Sequence, residues 1–398
     1  MPSHFLANPS LAPSSDRASS DLPLGDSMAA AAASSSSSSS SSPSRYPEIW
    51  NYLWIPLLIS FSKELALAKA QPGILLPGQL ENEAAAAAAA AASGGVVPSC
   101  PAADPKLNFR PVIGILSHPG DGASGRLNNA SNASYIAASY VKFVESAGAR
   151  VIPLIYNEPR EVLLEKLNMV NGVLFTGGWA KTGLYYETVE AIFKKVLAKN
   201  DAGDHFPLYA ICLGFELLTM IVSKDKSILE EFNAADQAST LQFMRNTNIE
   251  GTVFQRFPPD LLKKLSTDCL VMQNHHYGIS PERLIRSTDL TNFFKVLTTS
   301  MDGDNKVYVS TVQAHSYPVT AFQWHPEKNA FEWGLSMIPH SDDAIQVTQH
   351  VANFFVSEAR KSTNRASARK VLDNLIYNYS PTYCGKAGKG YDEVYIFT

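Results

Sequence analysis

From residue 108 onward, short runs of uninterrupted apolar residues recur. Each is closed by a turn signal and followed by apolar residues at helical spacing. Val112–Leu116 runs into Ser117-His118-Pro119-Gly120-Asp121-Gly122, Val151–Ile155 follows, Gly172–Thr176 ends at Gly177-Gly178, and Pro207–Ile211 ends at Cys212. Between them Tyr135–Ala147, Val162–Leu167 and Thr188–Ala198 read as helices, the first closed by Gly148 as its C-cap. A strand that is apolar at every position cannot leave a face in water, so both faces of such a sheet must be covered. The pattern predicts an α/β fold with a mostly parallel central sheet and helices on both faces. Sheets of this kind bind ligands at the carboxyl ends of their strands. Phe294–Thr299, Val307–Val312 and Val319–Trp324 add three strands, and Ala344–Ala359 adds a helix.

The first hundred residues obey other rules. Residues 1–48 include five alanines, Ala29–Ala33, running into nine serines, Ser34–Ser42. Such a segment buries too little apolar surface to offset the entropy of ordering it, and is expected to be a disordered leader. Ile49–Phe61, interrupted by Pro56, is shorter than the roughly 20 apolar residues of a membrane span. With the small residues Ala66, Ala68 and Ala70 behind it, the stretch 49–70 fits a signal-peptide core and cleavage site, so no stable membrane anchor is expected. A leader this long before the apolar run is unusual for a secretory signal. Residues 71–107, containing Ala84–Ala92, are expected to be a spacer, and 108–398 the catalytic domain.

Composition enters mainly as an exclusion. With 33 basic and 37 acidic residues the net charge is −4, which argues against nucleic acid as a partner. Four cysteines, Cys100, Cys212, Cys269 and Cys384, lack zinc-finger spacing. Whether Cys269, Cys384 and Cys100 pair among themselves stays open. His275-His276 has no third ligand at useful spacing, so no metal is expected. Asn129, Asn132 and Asn378 open glycosylation sequons, which matter only if the chain enters the secretory pathway.

The segment Ala210-Ile211-Cys212-Leu213-Gly214-Phe215-Glu216 carries chemistry. A cysteine directly after a buried strand and directly before a helix has the strand–elbow–helix setting of an exposed nucleophile. Gly214 lets the backbone turn closely there. The helix dipole is expected to lower the Cys212 pKa toward the thiolate. The Leu213 amide would point at an oxyanion, with a second donor from Gly177-Gly178, Gly178 being the candidate. Farther on, a strand leads into His325, Pro326 breaks it, and Glu327 stands two residues from the histidine. A histidine at one strand end can reach a cysteine at a neighbouring strand end, while the carboxylate fixes its tautomer. Cys212, His325 and Glu327 thus form a candidate catalytic triad.

Four segments, CLGFE, QWHPEKNAFEW, YIAASYVKFVESAGARVIPL and GVLFTGG, closely resemble the gamma-glutamyl hydrolase family, peptidase family C26. The resemblance runs from about Phe109 to Phe397, including the tail SPTYCGKAGKGYDEVYIF, and QNHHYGIS is most similar to plant members. It implies a class I glutamine amidotransferase-like fold and a cysteine peptidase acting on folylpoly-gamma-glutamates, with no cofactor. It also implies Cys212 as nucleophile, His325 as the proton-transferring histidine and Glu327 as the third member. Glu216 and His275 fall on the family's substrate-binding positions, the adjacent His276 leaving the second alignment ambiguous. Glu216 stands where glutamine amidotransferases usually carry glutamine, and a substrate ammonium is its expected partner. Arg126, Lys181 and Lys328 are cations on loops near these motifs. Members often form homodimers, and the leader and sequons together suggest a vacuolar or extracellular protein. The rival readings are an ammonia-supplying glutaminase, a non-enzymatic polyglutamate-binding protein and a membrane-anchored chain.

Overall fold

The computed structural model describes residues 102–122, 132–245, 247–385 and 391–398. The expected leader (1–48), signal segment (49–70) and most of the spacer (71–107), together with Cys100, Arg126 and Asn129, lie outside the described residues. Along the chain the strands are β1 (Val112–Leu116), β2 (His118–Pro119), β3 (Ser134–Ala137), β4 (Arg150–Leu154), β5 (Gly172–Phe175), β6 (Leu208–Ile211) and β7 (Glu230–Ser239). They continue with β8 (Gln242–Phe243), β9 (Val271–Gly278), β10 (Phe294–Met301), β11 (Val307–Ala314), β12 (Val319–Phe322), β13 (Thr382–Tyr383) and β14 (Glu393–Phe397). Eight of these form the central sheet in the order β4-β1-β5-β6-β12-β11-β10-β8. The pairings from β4 to β12 are parallel, and those among β12, β11, β10 and β8 antiparallel.

Burial on both faces explains why these strands read as unbroken apolar runs. Val173 and Phe175 of β5, with Leu208 and Ala210 of β6, join one core; Leu174, Tyr209 and Ile211 join the core on the opposite side. The helices Gly183–Asp201 and Leu213–Ser223 pack into the first core, and Ala138–Ser146 and Asp342–Ala359 into the second. Each fully buried leucine, valine or phenylalanine contributes about 1.5–3 kcal/mol to holding these layers together.

One expected element divides in two. Tyr135–Ala147 was predicted as a single helix, but Ser134–Ala137 is strand β3 and the helix begins at Ala138. The cause is long-range pairing: β3 runs antiparallel to the C-terminal strand β14, with Ile136 opposite Tyr395. That partner overrides the local helical spacing. The same pairing draws the tail back onto the body in a four-stranded sheet, β13-β14-β3-β2. The separate two-stranded sheet of β7 and β9 carries His275 and His276. No helix among the described residues is long and apolar enough to cross a membrane.

Candidate active site

Four adjacent parallel strands deliver their carboxyl ends to one place. After β1 comes His118, after β5 Gly177-Gly178, after β6 Cys212, and after β12 His325. Cys212 sits at φ 52°, ψ −104°, a conformation that side chains rarely adopt, immediately before the helix Leu213–Ser223. Holding a non-glycine residue there costs about 1–3 kcal/mol. The surroundings enforce it: the Cys212 amide donates to the Phe322 carbonyl at 2.7 Å, and the Cys212 carbonyl accepts from Glu216 at 3.0 Å. Gly214 is needed beside it, because a Cβ at that position would lie 3.0 Å from the Phe175 carbonyl oxygen.

His325 and Glu327 are buried, with His325 Nδ1 2.7 Å from Glu327 Oε1. The contact fixes the ring so that Nδ1–H donates to the carboxylate and Nε2 points elsewhere. The Asn274 carbonyl ties thiol and ring to the same spot. It lies 3.8 Å from Cys212 Sγ and is near enough to favour the protonated form of His325. Gly177 lies between the two side chains: a Cβ there would be 3.0 Å from His325 Cε1 and 3.4 Å from Cys212 Cβ. Cys212, His325 and Glu327 are therefore brought together as one cluster.

The charge state differs from the sequence expectation. Burial, reinforced by the nearby Glu216 and Glu327 carboxylates, pushes the Cys212 thiol well up, against the helix dipole that was expected to lower it. Burial also holds the His325 imidazole below its ordinary value, although Glu327 pulls it upward. Both shifts favour the uncharged forms, a protonated thiol and a neutral imidazole.

Glu216 is buried on the first turn of the helix after Cys212 and pairs with Lys181, Nζ to Oε2 at 2.8 Å. Burial lifts its carboxyl to about 7 despite that ammonium. Its partner here is thus a cation of the protein itself. Lys181 also lies over the Tyr277 ring at 4.6 Å. The two neighbouring histidines separate cleanly, since His276 is exposed and His275 buried. His275 Nδ1 contacts the Tyr277 carbonyl at 2.9 Å, its Nε2 has no hydrogen-bond partner, and burial pushes its pKa down to about 3. Lys328 is buried, with its ammonium 4.9 Å from the Tyr391 ring centre. Leu213 contributes the first amide of its helix, which by position has no intrahelical acceptor.

No group of three metal-ligating side chains occurs among the described residues. Cys269 and Cys384 are free thiols, so they do not pair with each other. Asn132 and Asn378 are both exposed. Sequence reasoning did not pick out His118, Tyr140 or Asn274 as parts of the site, nor Gln323, whose side chain favours the ionised form of Glu216. His118 was visible only as a polar residue after a strand; the signal that finds it is its place at the carboxyl end of β1, next to β5.

A parallel α/β sheet with a strained cysteine elbow and a His–Glu pair at adjoining strand ends defines a class of cysteine hydrolases and amidotransferases. Within that class the chain belongs to the Peptidase C26 family, whose model matches residues 111–327. It is 65% identical over 352 residues to Gamma-glutamyl hydrolase 2 of Arabidopsis thaliana, covering 88% of this chain and 98% of that protein. It is 68% identical over 301 residues to Gamma-glutamyl hydrolase 1 of the same plant, covering 76% and 86%. With Gamma-glutamyl hydrolase of Glycine max the identity is 58% over 325 residues, covering 81% and 92%.

Proposed function

We propose that this chain is a gamma-glutamyl hydrolase that cleaves gamma-glutamyl amide bonds in folylpoly-gamma-glutamates through a Cys212 thioester. The observation that carries the reading is the cluster of Cys212, His325 and Glu327 in a chain 65% identical to Gamma-glutamyl hydrolase 2. A gamma-glutamyl bond is an amide on the carbonyl that corresponds to a glutamine side chain. A scaffold suited to glutamine hydrolysis therefore needs only room for a larger leaving amine.

His325 Nε2 accepts the thiol proton as Cys212 Sγ attacks the gamma-carbonyl carbon. The oxyanion forms toward the Leu213 and Gly178 amides. His325 then gives its proton to the departing amine, and a water molecule, activated by the same nitrogen, hydrolyses the thioester. Glu327 stabilises the imidazolium that exists between these steps. Glu216 and His275 bind substrate beside Lys181. In a folylpolyglutamate the alpha-amino nitrogens are acylated, so the alpha-carboxylates, facing Lys181, are the groups for a charged partner to recognise.

The ammonia-supplying glutaminase is the principal rival, and Glu216 in place of glutamine disfavours it. Incubating the purified protein with pteroyl pentaglutamate and, separately, with glutamine tests the choice. Products shortened by glutamyl units support the reading. Release of ammonia from glutamine with inert pteroyl pentaglutamate would overturn it. We further read residues 1–70 as a leader directing the chain to the secretory pathway, and thence to the vacuole or extracellular space. Sequencing the mature N-terminus tests this, a start near Lys69 or Gln71 being the expected result.

A further inference from the structure

The loop that follows β5 is held by side chains from outside it. The Gly177 amide donates to Tyr140 Oη at 2.9 Å. The Trp179 and Ala180 amides both donate to His118 Nε2, at 3.0 and 3.1 Å. Between them the Gly178 amide has no acceptor among the described residues. Of four consecutive amides, three are tied and one is left without an acceptor.

His118 is built for this task. It is fully buried, and Nδ1 lies 2.8 Å from the Pro119 carbonyl, so the ring proton resides on Nδ1 and Nε2 is the acceptor. The rings of Tyr135, Trp179 and Tyr185 enclose it edge-on, with centroids 5.1 to 5.4 Å away. Gly178 packs against it at φ 153°, so closely that a Cβ there would lie 2.3 Å from His118 Cδ2. Burial pushes the imidazole down to about 4, which keeps Nε2 unprotonated for its two donors.

We infer that His118 is a positioning residue for the oxyanion site, holding the Trp179 and Ala180 amides so that the intervening Gly178 amide stays free to receive the oxyanion beside Cys212. The inference rests on the proposed reading that Gly178 meets the oxyanion. His118 itself touches no reacting atom; it fixes the backbone that does.

Three substitutions separate this role from simple packing. In His118→Gln the amide oxygen reaches the Nε2 position and still accepts both bonds. In His118→Asn it falls short, and His118→Phe keeps the ring without an acceptor. Turnover of pteroyl diglutamate and the rate of Cys212 alkylation by iodoacetamide are measured for each. Alkylation displaces iodide from a saturated carbon and forms no oxyanion. Removing an oxyanion donor costs about 10²–10³-fold in kcat. The expected result is a loss of about 10²-fold in kcat for Asn and Phe. KM and alkylation should stay within about threefold of wild type, and Gln should recover most of the loss. If the Phe variant does not fold, the comparison of Gln with Asn decides alone. Asn retaining near wild-type kcat, Gln falling as far as Asn, or alkylation falling in step with kcat would each overturn the inference. An unmodified enzyme inert toward pteroyl diglutamate would instead overturn the proposed function, and the variants would then be ranked on glutamine, whose hydrolysis passes through the same oxyanion.

Discussion

Glu327→Gln isolates what the buried carboxylate adds to His325. Burial holds His325 toward its neutral form in the resting site, so Glu327 does only a modest share of its work there. In the proposed mechanism the ring gains positive charge in both transition states, with Nδ1 2.7 Å from Oε1 and without solvent to share it. Glutamine keeps the shape and can still accept from Nδ1–H through its oxygen, but it carries no charge. Two unit charges about 4 Å apart attract by about 4 kcal/mol at an effective dielectric of about 20. Part of the hydrogen bond survives, so a net loss of roughly 3–4 kcal/mol is expected, about 10²–10³-fold in kcat. KM should change little, because burial favours a neutral imidazole in the ground state. The acid limb of kcat/KM should also move to lower pH: Glu327 lifts the His325 pKa, and its removal lets burial lower that pKa further. Folding should be affected by no more than about 1 kcal/mol, since a neutral amide is easier to bury than a carboxylate. The assay is steady-state hydrolysis of pteroyl diglutamate across pH, with thermal unfolding as control. A kcat within fivefold of wild type, or a loss confined to KM, would refute the assignment of Glu327 as stabiliser of the imidazolium.

Other perturbations probe the elbow, the cation and the tail. Cys212→Ala and Cys212→Gly should both abolish hydrolysis, with the glycine variant about 1 kcal/mol the more stable in denaturant unfolding, because only glycine adopts φ 52°, ψ −104° without strain; equal stability would show that the elbow stores none. Lys181→Met removes the cation 2.8 Å from Glu216 and should raise that carboxyl above its present value of about 7. KM for pteroyl diglutamate should rise about tenfold with kcat little changed, as expected for an interaction made equally in ground and transition states; an unaltered KM would remove Lys181 from the binding site. Glu332, buried and accepting from the Asp392 amide at 2.7 Å, has its carboxyl lifted by burial from 4.5 to about 7. A carboxyl raised on folding stabilises below its unfolded pKa and loses that contribution as pH climbs through the folded value. Stability should therefore fall by up to roughly 3 kcal/mol between pH 4.5 and 7, and Glu332→Gln should flatten that slope in urea titrations at several pH values.

The parts of the molecule legible in the sequence are those with local causes. Val112–Leu116 and Gly172–Thr176 announce buried strands because neither holds a charged residue and both are mostly large apolar side chains, and the observed strands fall within one residue of those bounds. Cys212 was identifiable because an elbow needs a strand before it and a helix after it, both written in adjacent residues. Tyr135–Ala137 was misread because its strand exists only through pairing with distant segments, Glu393–Phe397 some 260 residues away on one side and His118–Pro119 on the other. The charge state of Cys212 was likewise out of reach. The dipole of its helix is a local feature, whereas the burial and the Glu327 carboxylate that oppose it depend on parts of the chain far from Cys212 in sequence. His118 failed for the same reason: a histidine before a proline says nothing until β1 is known to lie beside β5.

The upward shift of the Cys212 thiol also bears on why the loop amides are held so firmly. A preformed thiolate would bring its own nucleophilicity, and a loosely placed oxyanion site could then suffice. Burial and the Glu216 and Glu327 carboxylates favour the protonated thiol, so in the proposed mechanism the barrier includes making a thiolate beside them. Negative charge passes quickly from sulfur to the substrate oxygen, and only fixed dipoles can meet it without reorganising first. In the proposed mechanism Leu213 supplies one such dipole by its position at the head of a helix. The other must come from a loop, which has no comparable geometry of its own, and this loop takes its rigidity from Tyr140 and His118. In the proposed mechanism a nucleophile held toward its protonated form calls for a firmly held oxyanion cradle, and the side-chain acceptors on either side of Gly178 supply that firmness.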